Sequence, residues 1–304
     1  MRAADYFRLL LLAAIWGASF LFMRIAAPAL GSVTTAFLRV LLGCIGLGTI
    51  LLVLKLPFHF AGKLTSSLLL GAMNSGLPFL MYCFAAQWLP IGYSAILNAT
   101  TPLMGAVIGL AFFEEKLSFR KGAGVVLGLF GIMVITTLGN VESTGSIIAG
   151  VIACLVATGC YGTAGFLTRR WISERGGLDA KRLAFGSQVG ATLFLLPFFI
   201  WSQANGPDID HVHGTVWVSV VALGLVCTAF AYILYFRLIN DVGPFRSLTV
   251  TFLIPPFSVL WGYLVLGETV STGFFAGAMV VCIAVWMVVS QGKETRKVDN
   301  IPTE

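Results

Sequence analysis

The residues of this chain that can do chemistry are polar side chains set at helical spacing inside long apolar runs. Asn74, Pro78 and Tyr82 follow at i, i+4 and i+8, which puts them on one helix face. Asn98 and Thr101 stand beside Pro102, where a proline inside a helix frees a backbone carbonyl. Thr228, Tyr232 and Tyr235 share a face in the same manner, and Thr251 precedes the Pro255-Pro256 pair. Trp16, Tyr161, Gln188 and Trp261 lie in apolar runs of their own. Polar groups are expensive in hydrocarbon, so they turn toward protein or toward water. As a set they are expected to line a central, uncharged, aromatic-rich chamber. Taken singly, each reads equally as an interhelical hydrogen bond or a packing aromatic.

Arg39 is the sharpest single residue. It sits about seven residues, or ~10 Å, inside its apolar run. Either its side chain snorkels to the interface, or it faces the bundle, where a guanidinium holds a substrate carboxylate or braces carbonyls. Arg24 lies closer to the end of its run, so snorkelling is the expectation there. Glu115 and Glu268 stand at helix ends, where they cap or brace a neighbouring helix or, less expectedly, couple transport to protons. No Asp or Glu lies in the middle of a run, which leans toward facilitated movement down a gradient.

Other chemistry is not in evidence. The sequence has no Walker-type glycine loop, no His-rich helix and no Ser/His/Asp arrangement, so no enzyme and no cofactor is expected. Asp208, Asp210, His211 and His213 either grip a metal or form a solvated loop. With no thiolate nearby and no helix to fix them, the loop is the expectation and no metal site is assigned. Cys44, Cys83, Cys154, Cys160, Cys227 and Cys282 have no CxxC spacing and read as small apolar packing residues.

The elements that must carry these side chains are apolar spans. They read roughly 7–27, 33–54, 64–88, 92–113 and 119–138, then 147–167, 183–201, 216–238, 247–266 and 272–290. Each approximates the 17 to 25 residues that cross ~30 Å of hydrocarbon. A chain that is 58% hydrophobic and 11% charged cannot hide that apolar content inside a soluble domain. Lysine and arginine outside the spans fall in alternate connections: Arg2 and Arg8; Lys55 and Lys63; Lys116, Arg120 and Lys121; Arg169 to Arg182; Arg237 and Arg246; and the tail after 292. The connections of opposite parity hold none. That bias places both termini in the cytoplasm, in an integral protein of the bacterial inner membrane. The net charge of +6 then meets anionic lipid headgroups at helix ends and is no nucleic-acid signal. The first span is long, lacks a small-residue cleavage site and reads as a retained helix.

The spans repeat. A gapless shift of 153 residues pairs Leu70-Gly71 with Leu223-Gly224, Tyr82 with Tyr235, Ser94 with Ser247 and Pro102 with Pro255. It also pairs Glu115 with Glu268, Ser118 with Ser271 and Gly124 with Gly277, while Trp16-Gly17 matches Tyr161-Gly162 at a slightly smaller shift. Residues 1–138 form the first five-helix unit, 139–145 a linker, 146–292 the second unit and 293–304 a cytoplasmic tail. Five is odd, so the second unit enters from the opposite side. The expected fold is an all-α membrane protein of ten transmembrane helices in two inverted five-helix repeats, the organisation of a carrier with a site between its halves.

The chain resembles the EamA-type members of the drug/metabolite transporter superfamily. The resemblance is carried by Ile15-Trp16-Gly17, Arg39, Pro102 and the Glu115-Lys116-Leu117-Ser118 step. It is echoed in Tyr161, Pro255 and Gly267-Glu268-Thr269-Val270-Ser271. It implies a bundle with a central cavity and movement of small metabolites, commonly amino acids and often outward. The reading is a transporter exporting small organic metabolites, best guessed as amino acids including aromatic ones, by alternating access. Its partners are a small-molecule substrate and membrane lipid, with no nucleic acid; oligomeric state is not readable. The alternatives are an uptake or exchange carrier for sugars, nucleobases or nucleotide-linked compounds, a membrane enzyme acting on lipids, and a non-transporting scaffold.

Overall fold

The structure is a computed structural model that describes residues 2–115, 118–139, 145–205, 212–243, 247 and 249–290. The Lys116-Leu117 step, most of the 139–145 linker, Asp208, Asp210, His211, Arg246 and the tail from 293 lie outside these residues.

The described chain is helical, with no strand among the described residues. We number the helices α1 (Ala3–Leu30), α2 (Ser32–Val53) and α3, which runs Leu64–Gly71, a π-helical stretch Ala72–Gly76, and Leu77–Ala85. Then come α4a (Ile91–Asn98), α4b (Thr101–Phe112), α5 (Phe119–Leu138), α6 (Gly145–Trp171) and α7 (Ala180–Asn205). Next is α8, which runs Gly214–Val221, a π-helical stretch Ala222–Phe230, and Ala231–Val242; α9 (Val250–Leu266) and α10 (Thr272–Val289) follow. Among the described residues, 8 helices are long and apolar enough to cross a membrane, or 9 when α4a and α4b count as one bent span. The helix α9, at 17 residues, is shorter.

Local sequence explains the breaks and starts. The Ser118 hydroxyl accepts from the Lys121 N–H at the start of α5, and the Ser271 hydroxyl accepts from the Phe274 N–H at the start of α10. These are helix N-caps, each satisfying a donor that the first turn leaves open. Pro102 cannot donate to the Asn98 carbonyl one turn back, and α4 bends there by 41°. Pro78 likewise leaves the Asn74 carbonyl without its usual donor, and Leu77 N–H bonds back five residues to Ala72. The π-helical stretches fall at matching places in α3 and α8 under the 153-residue shift.

Helix packing also recurs. The helix α5 lies on α10 and α2 on α7; α1 packs on α9 as α6 packs on α4, and α2 packs on α8 as α7 packs on α3. Close approach rests on glycine. A methyl at Gly71 would overlap the Ser187 carbonyl oxygen of α7, and one at Gly224 would overlap Leu42 Cβ of α2. Gly124 and Gly277 do the same for the α5–α10 contact, with a methyl at each falling 3.0 Å from Ala284 O and 2.8 Å from Ile135 N. Where lipid is as apolar as leucine, such backbone approach drives association. The outer surface is ringed by apolar side chains, among them Phe119 (94% exposed), Met279 (66%) and Trp286 (60%). Patches of that extent belong against hydrocarbon. The molecule is an integral membrane protein.

Gly71→Ala is expected to destabilise by about 1–3 kcal/mol, because the α3–α7 contact must open. Gly165→Ala, which meets nothing within 4 Å, is expected to leave stability unchanged. Thermal unfolding of the two purified variants in detergent checks the difference.

Candidate substrate site

Arg39 is 5% exposed. The alternative in which it snorkels out of the bundle therefore does not describe its position. Its Nε lies 3.4 Å from Thr228 Oγ1, its Nη1 lies 3.3 Å from Met23 Sδ, and its guanidinium carbon sits 3.6 Å above the Phe79 ring. These partners are soft or neutral. None of the ion pairs among the described residues includes Arg39. A buried cation without a counter-ion is costly, and an anion entering beside it recovers that cost.

A second group joins it. The Tyr82 hydroxyl donates to Asn98 Oδ1 at 2.9 Å, its ring stacks on Tyr161 at 6.2 Å, and Phe20 meets it edge-on at 5.5 Å. Asn98 ends α4a, and the carbonyl that Pro102 strands there is taken by Thr101 Oγ1 at 2.7 Å. Thr100 Oγ1 similarly takes the Leu97 carbonyl at 2.6 Å. The break is thus refilled by hydroxyls, which holds Asn98 in place opposite Tyr82.

A third group sits on the π-helical stretches. Gln188 is fully buried and donates through Nε2 to Ser75 Oγ at 2.9 Å, while its Oε1 has no partner. Ser75 also meets the Tyr232 hydroxyl. Thr228 Oγ1 donates to the Leu223 carbonyl five residues back, at 2.9 Å. Gly43 of α2 ties the groups together, since a methyl there would meet both Thr228 and Gln188 Oε1.

The structure thus brings together Arg39, Tyr82, Asn98, Thr101, Tyr161, Gln188, Thr228 and Tyr232. Trp16 and Tyr235 pair separately, with ring centroids 5.3 Å apart. Trp261 donates its indole N–H to the Ala14 carbonyl at 3.0 Å, which pins α9 to α1. Thr251 lies half-buried in the first turns of α9. Pro78 is buried and Asn74 half-buried, but the side chains of α3 that meet the cluster are Ser75, Phe79 and Tyr82. Ser75 and Phe79 were not anticipated. They share a face with Tyr82 at i, i+4 and i+7, which a reading at i, i+4 and i+8 does not select. Met23 also went unread, because nothing in a methionine's spacing marks it as an arginine's neighbour.

At one end of the bundle a different arrangement holds Arg24 and Glu268. Arg24 Nε lies 3.4 Å from Glu268 Oε1, and Arg24 Nη1 donates to the carbonyls of Ala86 and Gln87, both at 2.8 Å. Glu268 Oε2 accepts from the Ile91 N–H at 2.8 Å. Arg24 therefore turns inward to these partners and does not snorkel. Glu115, its carboxylate counterpart at the other end, is exposed. No group of three or more His, Cys, Asp or Glu suited to a metal occurs among the described residues. An apolar groove of about 720 Å³ runs along the outer face of α5 past Phe119, Gly122, Val126 and Phe130, apart from this cluster.

Arg39→Met deletes the uncompensated charge while keeping bulk. The melting temperature in detergent is expected to hold or rise, since removing a buried unpaired ion relieves its desolvation cost. A fall of more than about 10 °C would make Arg39 a structural brace.

Comparison with known proteins places these features. The model of the EamA-like transporter family matches residues 6–137 and again residues 148–290. A Bacillus subtilis protein named "Uncharacterized transporter YoaV" is 23% identical over 275 residues, covering 90% of this chain and 92% of that protein. A Salmonella typhimurium protein named "Probable amino-acid metabolite efflux pump" is 22% identical over 298 residues, covering 94% and 95%. One solved crystal structure superposes with a TM-score of 0.62 at 14% identity, over 97% of this chain and all of that one, and shares its fold.

Proposed function

The chain belongs to the EamA-like transporter family, and from that premise we propose that it exports small organic metabolites, amino acids including aromatic ones, across the bacterial inner membrane by alternating access. The observation that carries the substrate class is Arg39: a guanidinium 5% exposed, with no carboxylate paired to it. A substrate carboxylate supplies the missing anion, in the bidentate geometry that arginine favours. Phe79, Tyr82 and Tyr161 beside it offer faces on which an aromatic side chain stacks. The printed name of the Salmonella relative agrees with that class and with the outward direction.

The scaffold is ten crossings in two inverted repeats, residues 1–138 and 146–292. The two separate family matches support that division, as do the paired N-caps, π-helical stretches, glycines and helix contacts under a common shift. Counted this way α4a and α4b are one bent crossing, and α9 crosses at the short end of the usual range. With basic residues inside, the α1–α2, α3–α4 and α9–α10 connections face outward and both termini are cytoplasmic. The cluster holds no carboxylate, so movement down the solute's own gradient is the mechanism proposed.

The test uses purified protein in liposomes loaded with a mixture of amino acids, sugars and nucleobases. Efflux of amino acids, aromatic ones foremost, is expected without a pH gradient. Arg39→Met, shown to be folded, is expected to lose at least about tenfold of that efflux. Selective efflux of sugars or nucleobases, or wild-type rates in Arg39→Met, would overturn the assignment.

A further inference from the structure

Two groups of helices in the bundle make their main direct contacts at one end. The helices α8 and α9 both pack on α1, and α6 packs on α3, α4a and α4b. The groups meet through α4a, which lies on α1 and α9, and through Leu77–Ala85 of α3, which lies on α1. At the other end, Leu64–Gly71 of α3 packs on α7, and α4b packs on α6, α5 and α10.

The Arg24–Glu268 pair sits at the end where the groups meet, and its geometry is that of a clamp. Both residues belong to the first group: Arg24 is on α1 and Glu268 follows α9. Every further bond they make crosses to the second group. Arg24 grips the carbonyls that end α3, and Glu268 receives the first N–H of α4a. The pair is half-buried, with side chains 28% and 19% exposed, so solvent screens it only in part.

The same two side chains recur in the second half. Glu115 matches Glu268 at the 153-residue shift, and the shift of 145 that aligns Trp16-Gly17 with Tyr161-Gly162 aligns Arg24 with Arg169. Arg169 and Glu115 both belong to the second group, on α6 and after α4b. Glu115 lies against α6 as Glu268 lies against α1: a methyl at Gly109 would meet both Phe166 and Glu115, and Phe166 is three residues before Arg169. Here, however, Arg169 pairs with Glu174 at 3.2 Å, both side chains more than half exposed, and Glu115 is exposed. One clamp is assembled and its counterpart is not.

We propose that these are the two gates of the carrier: Arg24–Glu268 holds the outer end shut in the state seen here, and Arg169 with Glu115 forms the matching inner clamp when the outer one releases. On this assignment Arg169 leaves Glu174, pairs with Glu115 and grips the carbonyls that end α8. Each gate is an ion pair within one group that bonds to exposed backbone of the other, so breaking the contact leaves no isolated charge. Exchange then costs little beyond the backbone bonds, as a two-state carrier requires. The inference rests on the inverted-repeat reading but not on the identity of the substrate.

The test reads conformation, without a transported solute. Nitroxide labels at Ser146 and Thr269 report the outer end, and labels at Ala4 and Phe112 the inner end, in full-length chain in liposomes with Cys44 and Cys282 changed to alanine. Wild type is expected to give a short outer and a long inner distance. Glu268→Gln keeps the side chain's shape but drops its charge. It is expected to raise the population with the outer end apart and the inner end together by on the order of tenfold, as loss of charge-assisted bonds predicts. Arg24→Glu with Glu268→Arg keeps the charge pair but loses both bonds to the second group, and is expected to leave the outer end apart as Glu268→Gln does; a wild-type distribution in that double variant would overturn the clamp geometry. Adding Glu115→Gln to Glu268→Gln is expected to abolish the inner closure. Unchanged distances in Glu268→Gln would overturn the outer gate, and inner closure that survives Glu115→Gln would overturn the inner one. Distances that exchange as described while liposomes release no amino acid would count against the substrate reading alone.

Discussion

Hydrocarbon offers no hydrogen bond, and this structure depends on that constraint throughout. Every backbone group that leaves the helical ladder inside the bilayer must find another partner within the protein. At α4 the Asn98 carbonyl, which Pro102 strands, is taken by the Thr101 hydroxyl. In α8 the Leu223 carbonyl is taken by Thr228. Polar side chains therefore gather where the helices are irregular. The candidate site lies there for that reason: the same breaks that need hydroxyls also open the geometry that lets Asn98, Ser75 and Thr228 face a common interior.

Arg39 sharpens the point. Its neighbours are an aromatic face, a thioether and a hydroxyl, which stabilise a guanidinium less than a carboxylate does. Three other arginines are paired with acids: Arg8 with Asp5 and Asp241, Arg24 with Glu268, Arg169 with Glu174. Arg39 is more deeply buried than any of these three and has no such partner among the described residues.

The two halves are alike in scaffold and unlike at their ends. N-caps, π-helical stretches and close-packing glycines recur in register because they serve helix geometry, which is the same in both halves. The ion pairs do not recur, although the residues for them do. One end is clamped by an ion pair and the matching residues of the other are not. The asymmetry resides in contacts, not in composition.

Much of this was legible in the residues alone. Apolar runs of bilayer length, basic residues in alternate connections and the 153-residue echo of Pro102, Glu115 and Ser118 point to a helical membrane carrier before any coordinates. They do so because hydrophobicity and charge act locally, residue by residue, against lipid and water. Spacings of i+7 and i+8 both hold a helix face with Tyr82, so the residues alone did not choose between Asn74 with Pro78 and Ser75 with Phe79. That Arg39 turns inward, that Gln188 reaches Ser75 113 positions away and that Arg24 clamps the end of α3 were decided only by tertiary structure. A long side chain on a helix can reach several directions at similar cost. Which one it takes is set by partners that the sequence scatters and only the packed bundle brings together.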